Sequence, residues 1–379
     1  MHITGIICEY NPLHAGHQKQ IDTVRRTFPE GAVVCIMSGN FVQRGKPAIF
    51  DKMTRAKAAI QCGADLVLEL PVTAALSSAE GFAAEGVRLL GVFCDRLCFG
   101  AETAEADCLM DTAKALLSED FSALLRAELE KGLSFPAARQ AALQAMGVDS
   151  TILETPNNIL AVEYCKAILH QGCKMEPMPI ARQGDYHDIC PDRENPSATS
   201  IRQLMEQGQS WASYVPEAAR NCFPGAAVHT LSCGERAMLA KLRTMQDTEF
   251  EALPYGSEGL WRKLMHAARQ ERTLEDILTA TKSKRYTRSR LDRMAMCAFL
   301  GLTEQDFSSP APYARVLALN DKGRQVLKLA RQQGEYPNIG DKLEHPYQVI
   351  EDRCDSLYGL FCRELPEAPA PEYRVYYQK

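Results

Sequence analysis

Glu9-Tyr10-Asn11-Pro12-Leu13-His14-Ala15-Gly16-His17 is the stretch whose reading decides the fold. It sets two imidazoles around a glycine. Before it lies a short apolar run, Ile3 to Cys8, that fits a buried strand; after it, Gln18 to Phe28 carries Ile21 and Val24 at helical spacing. His17 is therefore expected near a helix N-terminus, where free N–H groups and the positive end of the macrodipole favour an anion. Both imidazoles can then donate to phosphate oxygens, and Gly16 lets the backbone come close to them. An isolated H-x-G-H also reads as a satisfied surface turn. Its position directly after an apolar strand favours the nucleotide site.

The alternation continues outward from that turn. Ala32 to Met37 reads as a strand, Asp51 to Cys62 as a helix, Ala64 to Leu70 as a strand, Ser78 to Leu90 as a helix and Arg96 to Gly100 as a strand. Such a pattern predicts a parallel sheet covered by helices on both faces, with ligands at the carboxyl ends of its strands. Residues 104–147 read as short helices, an insertion in the first of two domains, 1–210. A helix from Asn158 to His170 and a strand from Glu176 to Arg182 return to the sheet, and Asn195 to Arg202 opens another helix, with Ser and Thr suited to capping it. That second helix start offers a further anion cradle through Ser200 and Arg202, although it also reads as a simple capped helix.

Composition narrows the class. With 379 residues, 46% hydrophobic and 24% charged, the chain reads as a soluble globular protein of more than one domain. No run approaches the ~18 apolar residues of a membrane span, and the start lacks a basic segment followed by an apolar one, so a cytoplasmic protein without membrane contact is expected. Cys8, Cys35, Cys62, Cys94, Cys98 and Cys165 mostly lie inside apolar runs, and no C-x-x-C pair exists. Neither a zinc site nor a disulfide framework is expected.

The loop Ser38-Gly39-Asn40-Phe41-Val42-Gln43-Arg44-Gly45 follows the second strand. Gly39 gives room there for a small acid, and Arg44 or Asn40 can orient its carboxylate; the competing reading is a strand-to-helix connection with a solvated arginine. Lys52 and Arg55, at the start of the next helix, read as ordinary solvated charges and are left outside the site. Beyond residue 210 the spacing turns helical, in Glu235 to Thr244, Gly259 to Arg269 and Leu274 to Thr279, with a strand near Tyr313 to Leu319. This second domain, 211–379, carries Lys282-Ser283-Lys284-Arg285-Tyr286-Thr287-Arg288-Ser289-Arg290, a basic cluster in a chain of net charge −5. Basic side chains bind phosphates and an interleaved tyrosine can stack on an unpaired base, so Lys282, Lys284, Arg285, Tyr286, Arg288 and Arg290 are candidate RNA contacts; a solvated helix face is the alternative.

Six ordered segments together resemble the bacterial tRNA(Met) cytidine acetate ligase family, a branch of the H-x-G-H nucleotidylyltransferases. They are Glu9-Tyr10-Asn11-Pro12-x-His14-x-Gly16-His17, Met37 to Gly45, Gly63-Ala64-Asp65-Leu66-Val67-x-Glu69-Leu70-Pro71, Phe99-Gly100-x-Glu102, Pro156-Asn157-Asn158-Ile159-Leu160 and Ser197-Ala198-Thr199-Ser200-Ile201-Arg202. Ala101 and Lys46 depart from the pattern. The resemblance implies an α/β fold, a Rossmann-like nucleotidylyltransferase parallel sheet followed by a mainly α-helical C-terminal domain that binds tRNA. It implies that acetate and ATP form acetyl-adenylate, with Mg2+ accompanying the ATP, and that N4 of the wobble cytidine of elongator tRNA(Met) then takes the acetyl group; DNA is not an expected partner. By matching positions, ATP would be bound by Ile7-Cys8-Glu9-Tyr10-Asn11-Pro12-Leu13-His14-Ala15-Gly16-His17-Gln18-Lys19-Gln20, Gly100, Asn157 or Asn158, and Arg182. His14 and His17 are the catalytic candidates, with Ser200 and Arg202 assisting the leaving pyrophosphate. A small-molecule cofactor adenylyltransferase would use the same turn, and a non-catalytic RNA-binding relic would keep the fold but not the intact histidines.

Overall fold

In this computed structural model, which describes residues 1–182, 196–332, 345–367 and 374–379, a seven-stranded sheet forms the frame. Its strands are β1 (Ile3–Cys8), β2 (Ala32–Ser38), β5 (Leu66–Leu70), β6 (Arg96–Ala101), β7 (Glu176–Ala181), β8 (Arg315–Leu319) and β9 (Tyr376–Tyr377), while β3 (Phe41–Val42) and β4 (Lys46–Pro47) make a separate hairpin. The order across the sheet is β7-β6-β1-β2-β5-β8-β9. From β1 the chain moves outward through β2 to β5, then jumps back to β6 on the other side of β1. The crevice between β1 and β6 is thus the point where the strand order reverses, the place where open α/β sheets take ligands.

β1, β2 and β5 are mostly apolar and are buried along their whole length because helices cover both faces. Alternate side chains feed two cores. Ile6, Val33, Cys35 and Val67 pack under helices α1 (Ala15–Thr27) and α2 (Lys52–Gln61). Ile3, Ile7, Val34 and Leu68 pack under the helices Ala79–Leu90, Pro156–His170 and Asp321–Gln332. The stretch 104–147 forms three helices, Ala106–Leu117, Glu119–Glu130 and Phe135–Ala145.

Two expectations are corrected. α1 begins at Ala15, not Gln18, because His14 caps it. The sheet is mainly parallel but not wholly so: β8, from well beyond residue 210, runs antiparallel to β5, and β9 pairs with β8. The apolar run Arg315–Leu319, buried throughout, covers an edge that β5 would otherwise expose. The later half is mainly helical, with Leu231–Thr244, Leu260–Gln270, Leu274–Thr281 and Arg288–Leu300 around their own core, yet Phe41, Val72 and Leu76 from the first half enter that core. The chain after residue 210 therefore does not stand apart from the sheet. Gly45, at φ +69°, makes one close approach between the halves: a Cβ there would meet the backbone of Asp292 and Arg293. No helix among the described residues is long and apolar enough to cross a membrane.

Candidate active site

The carboxyl end of β1 delivers the two histidines as a self-contained unit. The Gly16 N–H donates to Nδ1 of His14 (3.1 Å), and the His14 N–H donates to Nδ1 of His17 (3.3 Å), a reciprocal cap on α1. Since each Nδ1 accepts, each Nε2 carries the proton of the neutral ring. The rings stack with centroids 3.8 Å apart, and Tyr10 meets His17 edge-on at 5.0 Å. Burial, the neighbouring His17 ring and the charges of Arg182 and Arg202 push the pKa of His14 well down. Burial and Arg182 lower His17 to about 3. Both are neutral N–H donors at physiological pH. Gly16 also has a role the sequence did not suggest: a Cβ there would press on the His14 ring at 3.1 Å.

Within Ile7 to Gln20 most other side chains build the turn. Ile7 and Cys8 are strand residues of the core; Leu13 is fully buried. Tyr10 sits at φ +44°, a left-handed conformation rare for a bulky residue, and is held there by complete burial and a contact from its hydroxyl to Cys35 Sγ at 3.5 Å. The Asn11 side chain accepts from the Ile49 N–H (2.7 Å), and Glu9 accepts from the Gln43 N–H (2.7 Å). Pro12 follows a cis bond, Ala15 opens the helix, and Lys19 is exposed on it. The amides of Gln18 and Gln20 donate to the carbonyls of Cys62 and Cys98 and tie α1 to its neighbours.

Across the crevice, Gly100 near the end of β6 has open space where a side chain would project. Two residues further on, Glu102 accepts from Asn157 Nδ2 (2.6 Å), Thr155 Oγ1 (2.8 Å) and the Asn158 N–H (2.8 Å). Burial works against its charge, but these bonds outweigh it and lower the pKa. With its amide nitrogen so fixed, Asn157 presents its carbonyl to Arg182 Nη1 at 3.2 Å. Asn158 behaves differently. Its carbonyl accepts from the Thr103 N–H and its amide donates to the Thr103 hydroxyl, so its side chain holds the loop.

Helix Ala198–Glu206 brings Arg202 to the turn: Nη1 donates to the Asn11 carbonyl (2.6 Å) and Nη2 to Thr199 Oγ1 (3.1 Å). Ser200 is corrected. Its hydroxyl is buried and bonded to Ser197, the residue that caps the helix. Asn195 lies outside the described residues.

The expected acid pocket is rearranged as well. Asn40 donates to Asp355 (2.9 Å) and accepts from the Lys52 N–H (2.8 Å), so its side chain is committed to structure. Gly39 is glycine because a Cβ would strike Glu69, and Arg44 is exposed. Behind this loop lie two residues that were read as solvated and are buried. Lys52 Nζ binds Glu69 (2.8 Å) and Asp355 (2.5 Å), and although burial disfavours its ammonium, those carboxylates raise its pKa. Arg55, fully buried, donates to the carbonyls of Glu9 (2.7 Å), Ser38 (3.1 Å), Phe50 (2.8 Å) and Gly39. A signal was present: Lys52 and Arg55 share the 3–4 spacing of Ala56 and Ala59, the buried face of α2.

The basic segment lies against the helical half, and much of its charge is already engaged. Arg288 pairs with Glu275 (2.6 Å) and Asp292 (3.0 Å), Arg285 with Glu258 (2.9 Å), and Arg290 donates to the Tyr255 carbonyl and Ser257. Lys282 Nζ donates to the Tyr286 carbonyl (2.7 Å). Tyr286 is buried in the helical core with its hydroxyl on Glu258 (2.6 Å), which corrects its reading as a stacking platform. Lys284 and Arg285 are exposed.

A family model described as HIGH Nucleotidyl Transferase matches residues 1–364. Proteins named tRNA(Met) cytidine acetate ligase from Clostridium acetobutylicum, 34% identical over 89% of this chain and 90% of theirs, and from Clostridium novyi, 36% identical over 89% of each, are similar. So is one from Caldanaerobacter subterraneus, 36% identical over 93% of this chain and 92% of its own. Among solved structures, Thermotoga maritima TmcAL without ligand superposes with a TM-score of 0.91 and with alpha-thio ATP bound with 0.87, at 28% identity over 100% of each chain.

Proposed function

This chain belongs to the HIGH nucleotidyl transferase family and to the family of tRNA(Met) cytidine acetate ligases, and on that premise we propose that it uses ATP to join acetate to a cytidine of tRNA(Met). One observation carries the reading: a stacked pair of neutral imidazoles, each with Nδ1 engaged in the turn and Nε2 left to donate, at the point of strand reversal between Arg182 and Arg202. Neutral imidazoles and guanidinium groups together suit a polyphosphate. Gly100 leaves room beside them for the nucleotide, and Asn157 and Arg182 form its far wall.

The chemistry needs no protein nucleophile. An acetate oxygen attacks the α-phosphorus, the bond from that phosphorus to the bridging oxygen breaks, and pyrophosphate departs with the electron pair. His14 and His17 stabilise the charge gathering on the α-phosphate, and Arg202 that on the leaving group. The N4 amine of the wobble cytidine of elongator tRNA(Met) then attacks the acetyl carbon, AMP leaves, and the amine gives up a proton. Acetate is taken at the loop Ser38–Gly45, at the strand end beside the histidine turn, where the exposed Arg44 supplies charge. The donors around the turn bind anions, and no group of three His, Cys, Asp or Glu side chains among the described residues is arranged to hold a metal. Those residues do not fit a protein-held Mg2+; the ion would come with the phosphates of ATP, and no step above is routed through it. Within the basic segment the exposed Lys284 is the tRNA contact favoured here. A tRNA substrate and the lack of a membrane-crossing helix among the described residues both support a cytoplasmic site of action.

Pyrophosphate release from ATP tests the reading. Release that requires acetate, with acetylation of tRNA(Met) and not of other tRNAs, is the expected result. Release that requires a cofactor precursor in place of acetate would establish the small-molecule adenylyltransferase instead.

A further inference from the structure

We infer that Arg55 is a positioning residue that fixes the histidine turn to the loop Ser38–Gly45, and so sets the rate of adenylation while leaving nucleotide affinity largely alone. The inference rests on the reading that this loop takes acetate. Arg55 lies on α2, outside the turn and the loop, yet its planar head is fully buried between them. Nη1 donates to the carbonyl of Glu9, where β1 ends, and to that of Ser38, where β2 ends; Nη2 reaches Gly39, and Nε closes on Phe50 just before its own helix. Only a guanidinium presents donors in a fork wide enough for carbonyls of both strand ends at once. A second tie follows the same route, since Glu9 accepts from the Gln43 N–H (2.7 Å) and, at 3.5 Å, from the Ser38 hydroxyl.

The histidine cap owes nothing to this clamp. It is closed by Gly16, His14 and His17 among themselves. Loss of Arg55 therefore leaves the phosphate donors in place while the neighbouring loop shifts against them. In-line attack requires the reacting atoms to be about 3–3.5 Å apart, and a displacement of about 1 Å costs on the order of 100-fold in rate. Ground-state binding of ATP does not depend on that separation.

The experiment compares Arg55→Lys with Arg55→Met in acetate-dependent ATP–pyrophosphate exchange, alongside amide hydrogen exchange of the same proteins. For Arg55→Lys the expected result is a fall in kcat of about 30-fold or more with KM for ATP within about threefold, since a single ammonium spans fewer of the carbonyls. Arg55→Met, if folded, should lose more. Amide exchange should quicken about tenfold or more in residues 38–45 and change little in α1. The proposal is overturned if kcat of Arg55→Lys stays within about threefold of the parent, if the loss falls on KM for ATP, if faster exchange is spread evenly, or if neither variant folds, which would make Arg55 a structural post alone. Should the parent protein show no acetate-dependent exchange, the functional reading fails, and the clamp is then judged by hydrogen exchange alone.

Discussion

The histidine turn and the basic segment at 282–290 look alike in sequence, each a cluster of cationic or potentially cationic side chains beside a helix start, but the fold treats them in opposite ways. In the turn, each imidazole spends one nitrogen on the backbone and keeps the other as a donor. In the basic segment, Arg288 and Arg290 are committed to Glu275, Asp292 and the Tyr255 carbonyl, and Tyr286 is in the core. A cluster of positive residues is evidence of a binding site only to the extent that its neighbours leave the donors unspent. Glu275, 13 residues from Arg288, and Glu258, 27 residues from Arg285, remove that capacity without leaving a mark in the local composition.

The most severe way to break the contrast is to remove one imidazole. His14→Ala or His17→Ala is expected to cut acetate-dependent ATP–pyrophosphate exchange by about 100-fold or more, on the scale of losing one preorganised donor to a developing charge. Survival within about tenfold, equivalent to ~1.4 kcal/mol, would remove the histidines from catalysis. The two adjacent asparagines sharpen it next. Asn157→Ala should raise KM for ATP about tenfold with little change in melting temperature, whereas Asn158→Ala should cost about 1–3 kcal/mol of stability through the orphaned Thr103 groups. Chemical denaturation together with exchange kinetics tells the two apart; the reverse assignment would put the nucleotide contact on Asn158.

Within the basic segment, Arg290→Ala is expected to act on stability, by about 1 kcal/mol for the Tyr255 carbonyl left without its donor. Lys284→Ala should leave stability unchanged and reduce the log–log salt slope of tRNA binding by about 0.7–0.9. An unchanged slope in filter binding would move the tRNA contact elsewhere. The smallest effect concerns pH. Because burial lowers both histidine pKa values, His17 to about 3, the adenylation rate should show no step near pH 6.5 from these rings. Their neutral state stabilises the fold fully above about pH 6.5; as pH falls from there toward 3 the unfolded chain binds protons that the native turn refuses, so stability declines over that window. A melting temperature flat between pH 6.5 and 4 in the parent, and equally so in His17→Asn, would contradict the buried neutral ring.

The strands and helices of the first half were legible because their signals are local. Apolar runs bounded by turns gave β1, β2, β5 and β6 nearly to their ends, and the two-histidine turn announced a helix start. The first limit appeared at α1, whose earlier start depends on His14 acting as a cap, a role for which histidine is not a preferred residue. Asn157 and Asn158 are equivalent as letters, and helical rotation between them turns one toward Arg182 and the other into the Thr103 loop.

The amino-acid order by itself determined the alternating α/β frame, the position of the histidine turn and the helical character of the later half, since periodicity and turn chemistry act over a few residues. Only the tertiary structure decided what distant partners settle. β8 joins the sheet antiparallel to β5 across some 250 positions of chain. Lys52 meets Asp355 at a separation of 303 residues, and Asn40 meets the same carboxylate at 315. A buried charge is tolerable only where such partners converge on it. Lys52 and Arg55 therefore looked like surface cations in the sequence, and became interior supports of the candidate site once the chain had closed around them.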